Sequence, residues 1–146
     1  MTILTKSTSE TEAAGKALAQ KLCEAGRKSA FIAMRGEMGV GKTAFTRGFA
    51  SYFGILGVKS PTYTIVNEYR GQANIFHFDM YRISDGDDLY SVGYDDYVSS
   101  EGYLIAEWSE NIEDEIPSGA IFVTISRTDG DSEERKIEIN YENTCI

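Results

Sequence analysis

Cysteine and proline are almost missing from this chain, at two each in 146 residues. Cys23 and Cys145 lie far apart and in no Cys-x-x-Cys spacing, which argues against a disulfide framework or a thiolate metal site and fits a reducing compartment. Basic residues are also scarce. Fourteen Lys and Arg against 23 Asp and Glu leave a formal net charge of −9, so the phosphates of a nucleic acid are repelled over most of the surface. No apolar run approaches the roughly 20 residues that a membrane-spanning helix needs, and Met1-Thr-Ile-Leu-Thr-Lys6 holds no apolar signal region. The expectation is a soluble cytoplasmic protein. What is present is ordinary globular composition, 42% hydrophobic and 12% aromatic, in a length that buries a core without staples as one domain, 1–146.

The chemistry is concentrated in the stretch from Phe31 to Arg47, which reads as strand, glycine-rich turn and helix. Gly36-x-x-x-x-Gly41-Lys42-Thr43 matches the phosphate-binding loop pattern, whose glycines let successive backbone N–H groups curl around a polyphosphate at a helix N-terminus. Gly36 frees the strand exit, Gly39 and Gly41 allow conformations and close approach that a Cβ blocks, Lys42 places a point charge on the β/γ-phosphates, and Thr43 offers a hydroxyl to Mg²⁺. Arg35, Lys42 and Arg47 put positive charge near this loop, favouring a small anionic ligand.

The flanking segments supply the sheet and its helices. Ile3 and Leu4 suggest a short strand, and the overlapping patterns Ser7-x-x-Glu10 and Ser9-x-x-Glu12 cap a helix. Its apolar positions Ala14, Ala17, Leu18, Leu22 and Ala25 face a sheet, and Gly26 ends it. Residues 31–34 form a buried strand, and the helix after the loop carries a core stripe of Phe45, Phe49 and Phe53. Gly48 inside that helix costs up to about 1 kcal/mol relative to Ala and suggests a close neighbour. The Ser60-Pro-Thr-Tyr-Thr64 segment is a loop, readable either as a nucleotide-sensing switch or as a plain surface turn. Strands at 64–70 and 75–81 form a hairpin, with Phe76, Phe78 and Met80 on one face and Ile75, His77, Asp79 and Tyr81 on the other. His77, the sole histidine, reads more readily as a satisfied structural residue than as a base. Ser84 and the acids Asp85, Asp87 and Asp88 open a short helix; a turn through Tyr94–Val98 then leads to an apolar strand, 103–108. Asp79 and Glu107 each sit at a strand end, where an acid can hold Mg²⁺ or simply face solvent. Pro117 ends an irregular or helical stretch, and 120–127 with 133–141 form a last hairpin about Asp129-Gly130.

This order of elements predicts an α/β fold: a P-loop NTPase-like three-layer sandwich built on a mixed parallel and antiparallel sheet. The chain holds neither Asn-Lys-x-Asp nor Asp-x-x-Gly, which weakens a GTPase reading. A small-molecule kinase would need an acceptor pocket and lid that so short a chain has little sequence to build. A non-hydrolysing, nucleotide-dependent interaction module stays open.

Gly36-Glu-Met-Gly-Val-Gly-Lys-Thr43, Ser60-Pro-Thr-Tyr-Thr64, His77-Phe-Asp-Met-Tyr-Arg82 and Glu107-Trp108, in this order and spacing, resemble the TsaE (YjeE) family of bacterial ATPases over nearly the whole chain. The resemblance implies a cytoplasmic, Mg²⁺-dependent ATPase that turns ATP into ADP and phosphate; the missing acceptor pocket and the acidic charge predict slow turnover when it is alone. It would serve threonylcarbamoyladenosine modification of tRNA with TsaD-type and TsaB-type partners; the acidic charge leaves any tRNA contact to those partners, and the lack of long apolar runs predicts no membrane role. It further implies that the nucleotide lies on Gly36, Glu37, Met38, Gly39, Val40, Gly41, Lys42, Thr43 and Ala44, with Ser9 and Thr11 approaching the nucleoside. Mg²⁺ would sit on Thr43 and Glu107, and Asp79 and Lys42 would carry catalysis, Asp79 near the attacking water. Ser60–Thr64 becomes the switch-like loop, and Trp108 packs at the site, at a partner surface or in the core.

Overall fold

The computed structural model describes residues 1–60, 65–83, 86–130 and 132–141, with backbone alone at 86 and 87. Its elements run β1 (Thr2–Thr5), α1 (Thr8–Glu24), β2 (Ala30–Arg35), α2 (Lys42–Ser51), β3 (Val66–Arg70), β4 (Asn74–Asp79), α3 (Gly86–Ser91), α4 (Tyr94–Ser99), β5 (Tyr103–Glu107), a 3-10 helix (Ser109–Glu115), β6 (Ile121–Arg127) and β7 (Arg135–Asn140). Local chemistry sets the ends of α1. The Ser7 hydroxyl accepts from the Glu10 N–H at 3.1 Å, and the Glu10 carboxylate accepts from the Lys6 N–H at 3.0 Å, so the first of the two capping patterns is the one used. At the other end Arg27 N–H donates to the Leu22 carbonyl and Gly26 N–H to that of Cys23, the paired bonds of a Schellman ending.

The seven strands form one sheet in the order β1-β7-β6-β2-β5-β4-β3. Its middle four strands, β6, β2, β5 and β4, are parallel, and an antiparallel partner extends each side: β3 on β4, and β7 then β1 beyond β6. Helices cover both faces. On one, Leu18, Leu22, Phe45 and Phe49 of α1 and α2 share a core with Ile32, Met34, Ile105 and Ile125. On the other, Leu89, Tyr94 and Ile112 pack with Phe31, Phe78 and Leu104. This is the three-layer mixed-sheet α/β architecture expected from the sequence.

Several boundaries differ from expectation, among them the strand expected over 103–108, which stops at Glu107, and that expected over 133–141, which runs over Arg135–Asn140. Residues 94–98 are not a turn but lie in α4, where Asp95 and Asp96 occupy the first turn, a favourable place for negative charge, while Tyr94 is buried edge-on to Phe31 and Phe78. The strand expected over 75–81 stops at Asp79, because the Asp79 carboxylate accepts from the Tyr81 N–H at 3.0 Å and turns the chain away. Of the expected acidic helix opening, Ser84 and Asp85 lie outside the described residues.

The neighbour demanded by Gly48 is α1. A Cβ on Gly48 would overlap the Glu12 carbonyl oxygen and fall 2.7 Å from the Glu12 Cα, and one on Gly15 would overlap the Phe45 carbonyl oxygen. Each helix therefore supplies one glycine to the crossing. Backbones in direct contact tie α1 to α2, the helix that begins at the glycine-rich loop.

Candidate functional site

A parallel sheet presents its ligand site at the carboxyl ends of its strands, and the sequence-predicted residues meet there. The loop 36–41 joins β2 to α2, with left-handed or extended-positive φ of 151° at Gly36, 74° at Gly39 and 118° at Gly41. Gly41 is the N-cap of α2 and makes no side-chain capping bond, and no acid lies in the first turn. The first N–H groups of α2 and the positive end of its dipole are thus left to whatever anion comes to the loop.

Lys42 stands at this mouth. Its residue is only 5% exposed, its ammonium donates to the Gly36 carbonyl at 2.6 Å, and the same nitrogen lies 3.9 Å from the centre of the Trp108 ring. Burial pulls its pKa below the ordinary 10.5, while the carboxylates of Glu107, Glu110 and Asp79 act in the opposite direction. Asp79 and Glu107 are register partners on the parallel pair β4 and β5, and the Met80 N–H continues the pairing by donating to the Glu107 carbonyl at 2.9 Å. Glu107 is 5% exposed and its carboxylate is bound by Nε2 of His77. The two acids that sequence alone left as alternatives are therefore adjacent members of one cluster, facing a lysine.

Trp108 owes its place to an unusual backbone. It is the single non-glycine residue with positive φ among the described residues, at 59°, a genuine outlier for a bulky side chain. That turn ends β5, and it sets the indole over Lys42 and 5.1 Å from the Tyr81 ring. The 3-10 helix that follows is stitched down by Ser109, whose hydroxyl donates to the Met34 carbonyl at 3.1 Å, and by Asn111, whose amide donates to the Met80 carbonyl at 2.9 Å.

The remaining expected residues divide. The Thr43 hydroxyl meets the Ser60 hydroxyl, so the start of the expected switch segment touches the loop; residues 61–64 lie outside the described residues. Thr11 is buried, hydrogen-bonded to the Thr5 hydroxyl at 2.8 Å, and its methyl would lie 3.6 Å from a Cβ on Gly41. Ser9 is exposed on α1. Met38 and Glu37 are exposed at the loop tip.

The cluster of positive charge expected around the loop is not built from Arg35 and Arg47. Alternation along β2 turns Arg35 to the face opposite α2, where it pairs with Glu113 and lies 5.0 Å from the centre of the Phe122 ring. Arg47 binds Glu12 across the α1–α2 crossing at 3.2 Å. Two other arginines, unnoticed in the sequence, reach the loop from the final hairpin. Arg135 donates to the Val40 carbonyl at 2.8 Å; Arg127 donates to the Met38 and Gly39 carbonyls at 3.5 and 3.4 Å and to Glu37 at 3.3 Å. They are cross-strand partners, and like charges directly opposite are unfavourable without acceptors nearby. A two-residue turn at Asp129-Gly130 would set Arg127 opposite Ser132, so only the observed register brings the two arginines together.

The donor set suits a hard cation. Thr43, Asp79 and Glu107 offer oxygen only. That fits Mg²⁺, which takes one or two carboxylates and completes its shell with substrate phosphates and water. A cleft of about 450 Å³ at the opposite, amino ends of the strands is lined by Arg27, Lys28, Phe53, Glu101 and Tyr103 and shares no residue with this cluster.

Comparison with known proteins agrees with the architecture. Residues 5–137 match the family model described as threonylcarbamoyl adenosine biosynthesis protein TsaE. The tRNA threonylcarbamoyladenosine biosynthesis protein TsaE of Bacillus subtilis is 35% identical over 121 residues, covering 82% of this chain and 75% of that protein. Its counterpart in Haemophilus influenzae is 39% identical over 114 residues, covering 77% and 70%. The crystal structure of Bacillus subtilis YdiB superposes with a TM-score of 0.80 at 30% identity, covering 98% of this chain and 86% of that one. A glycine loop, its lysine and two register-paired acids on a sheet of this order thus coincide with a match over most of the sequence, and the chain belongs to the TsaE family.

Proposed function

We propose that this protein is a Mg²⁺-dependent P-loop ATPase of tRNA threonylcarbamoyladenosine biosynthesis, acting in the cytoplasm on a complex of TsaD-type and TsaB-type partners through nucleotide-dependent conformational change. The observation that carries the reading is the uncapped start of α2 at Gly41, with the buried Lys42 ammonium beside it and the carboxylates of Glu107 and Asp79 acting on that ammonium. Polyphosphate is the ligand whose charge this arrangement complements. Residues 36–44 would bind it, Lys42 would hold the β/γ-phosphates, and Thr43 with Glu107 would hold the cation. Bound Mg²⁺ supplies neutralisation of the charge that develops on the phosphates. Asp79, half-buried beside Glu107, would orient the attacking water.

The chain's charge of −9 disfavours holding tRNA directly and favours an ATPase whose work is done on another protein. Phosphate release should be measured for the chain alone, with TsaD-type and TsaB-type proteins, and with small-molecule phosphate acceptors. Slow release alone, accelerated by the two proteins, is expected. Fast stoichiometric transfer to a small molecule without partners would sink the reading in favour of a kinase, and tight ATP binding with no hydrolysis in any mixture would leave an interaction module.

A further inference from the structure

The buried His77 has no role in the site as described so far. It lies in β4 two residues before Asp79 and is fully buried, at 0% exposure. Register pairs it with Ile105 on β5, so alternation puts its ring on the same face as Glu107, two residues further along. Nε2 meets Oε2 of Glu107, and Nδ1 has no hydrogen-bond partner among the described residues.

The asymmetry of the ring decides what it can do. A carboxylate oxygen only accepts, so Nε2 carries the proton and donates. Among the described residues an Nδ1 proton would find no acceptor, which assigns the ring as the Nε2–H tautomer. A ring so placed has no solvent contact through which to exchange a proton with a reacting group, so it is not a base. It is instead a fixed donor, locked in the sheet, aimed at one oxygen of a carboxylate whose terminal torsion is otherwise broad.

We propose that His77 is a positioning residue for Glu107: its Nε2–H holds Oε2, fixes the plane of the carboxylate, and leaves Oε1 for the cation of the Mg²⁺-nucleotide. This rests on the reading of the loop as a Mg²⁺-nucleotide site. A neutral donor orients the carboxylate without cancelling its charge, which a lysine or arginine in its place would do. Hydrogen-bonded supports of metal-ligating carboxylates are worth about 10–100-fold in metal affinity or activity.

Binding of a non-hydrolysable ATP analogue, titrated calorimetrically in Mg²⁺ and in EDTA, separates the two readings. The ratio of the two affinities in the natural protein measures how strongly the cation is used. His77→Leu removes the donor; the ratio should fall about 10–100-fold while the affinity in EDTA stays put. His77→Gln places its amide N–H near the position of Nε2 and should recover most of the ratio, whereas His77→Asn places it near Nδ1 and should not. If His77→Leu loses its cooperative unfolding transition, the Gln and Asn variants decide the matter. Equal ratios in those two, or a natural ratio in a folded His77→Leu, overturn the positioning role and leave the nucleotide site intact. No analogue binding by the natural protein in either buffer overturns the nucleotide site and this inference together.

Discussion

Lys42, Thr43, Asp79 and Glu107 occupy neighbouring strand and helix ends, yet their environments assign them different failures. Lys42 is buried with its ammonium on the Gly36 carbonyl, so an incoming phosphate competes with a backbone oxygen for a charge already in place. Lys42→Ala should weaken ATP binding about 10–100-fold, the scale of a lost hydrogen bond to a charged group at about 1.5–3 kcal/mol. Isothermal titration checks this, and unchanged affinity would remove the phosphate-loop reading. Thr43→Val should act on Mg²⁺ use rather than on nucleotide affinity in EDTA. The carboxylates separate in the same way. Glu107→Gln should raise the Mg²⁺ concentration needed for half-maximal turnover, while Asp79→Asn should keep nucleotide binding and lose about 10²-fold in turnover, as for a group needed mainly in the transition state. Steady-state kinetics over a Mg²⁺ series distinguishes them; the reverse pattern would exchange the two roles.

Helix α2 matters because it carries the loop, and its position is set by backbone contact rather than by side chains. Gly48 lies against the Glu12 backbone and Gly15 against that of Phe45, and the Arg47–Glu12 pair spans the same crossing. Gly48→Ala would gain helix propensity of up to about 1 kcal/mol but must push α1 and α2 apart. Overpacking of this kind costs about 1–3 kcal/mol, and here backbone rather than a flexible side chain must yield, so a net loss of stability is expected. Urea unfolding at constant m-value should show it as a lower midpoint. A midpoint equal to or above that of the natural chain would mean that the helices part freely. The final hairpin supports the loop from the other side through Arg135 and Arg127. Carbonyls held outward by guanidinium groups favour N–H groups turned inward, the orientation an anion requires.

Over the whole molecule, ion pairing leaves the net charge at −9 while it occupies basic side chains. Arg35, Arg47, Arg70, Arg127 and Lys136 each sit on a glutamate, so five of the 14 basic side chains have little field left for a distant polyanion. The chain alone should hold tRNA no better than the non-specific range of about 10⁻⁴–10⁻⁶ M, and filter binding at physiological salt tests it; submicromolar, salt-sensitive binding would contradict the expectation. Proteins are the better candidates for recognition. If a partner prefers the ATP-bound form by some factor, linkage requires it to tighten ATP binding by that same factor, a relation that titration from both directions can verify. Among the described residues no helix is long and apolar enough to cross a membrane.

What the sequence determined by itself is local in origin. The capping patterns at Ser7 and Ser9, the alternation of Ile75, Phe76, His77 and Phe78, the apolar strand 103–108 with its acid and the spacing Gly36 to Thr43 all depend on residues a few positions apart, where helical and strand periods are directly readable. From these the layered α/β fold and the glycine loop follow, and so do both acids as candidates. Only the tertiary structure decided that Asp79 and Glu107 are register partners, that Gly48 meets Glu12, and that Arg35 turns from the loop while Arg127 and Arg135 turn toward it. It likewise decided that His77 holds Glu107 across 30 positions of chain. These contacts depend on strand order and helix crossing, which emerge when the whole core packs at once; no window of neighbouring residues contains them. The left-handed turn at Trp108 belongs with them, because an isolated Glu-Trp-Ser segment would relax out of a conformation that the contacts of Trp108 with Lys42 and Tyr81 and the bond from Ser109 to the Met34 carbonyl hold in place.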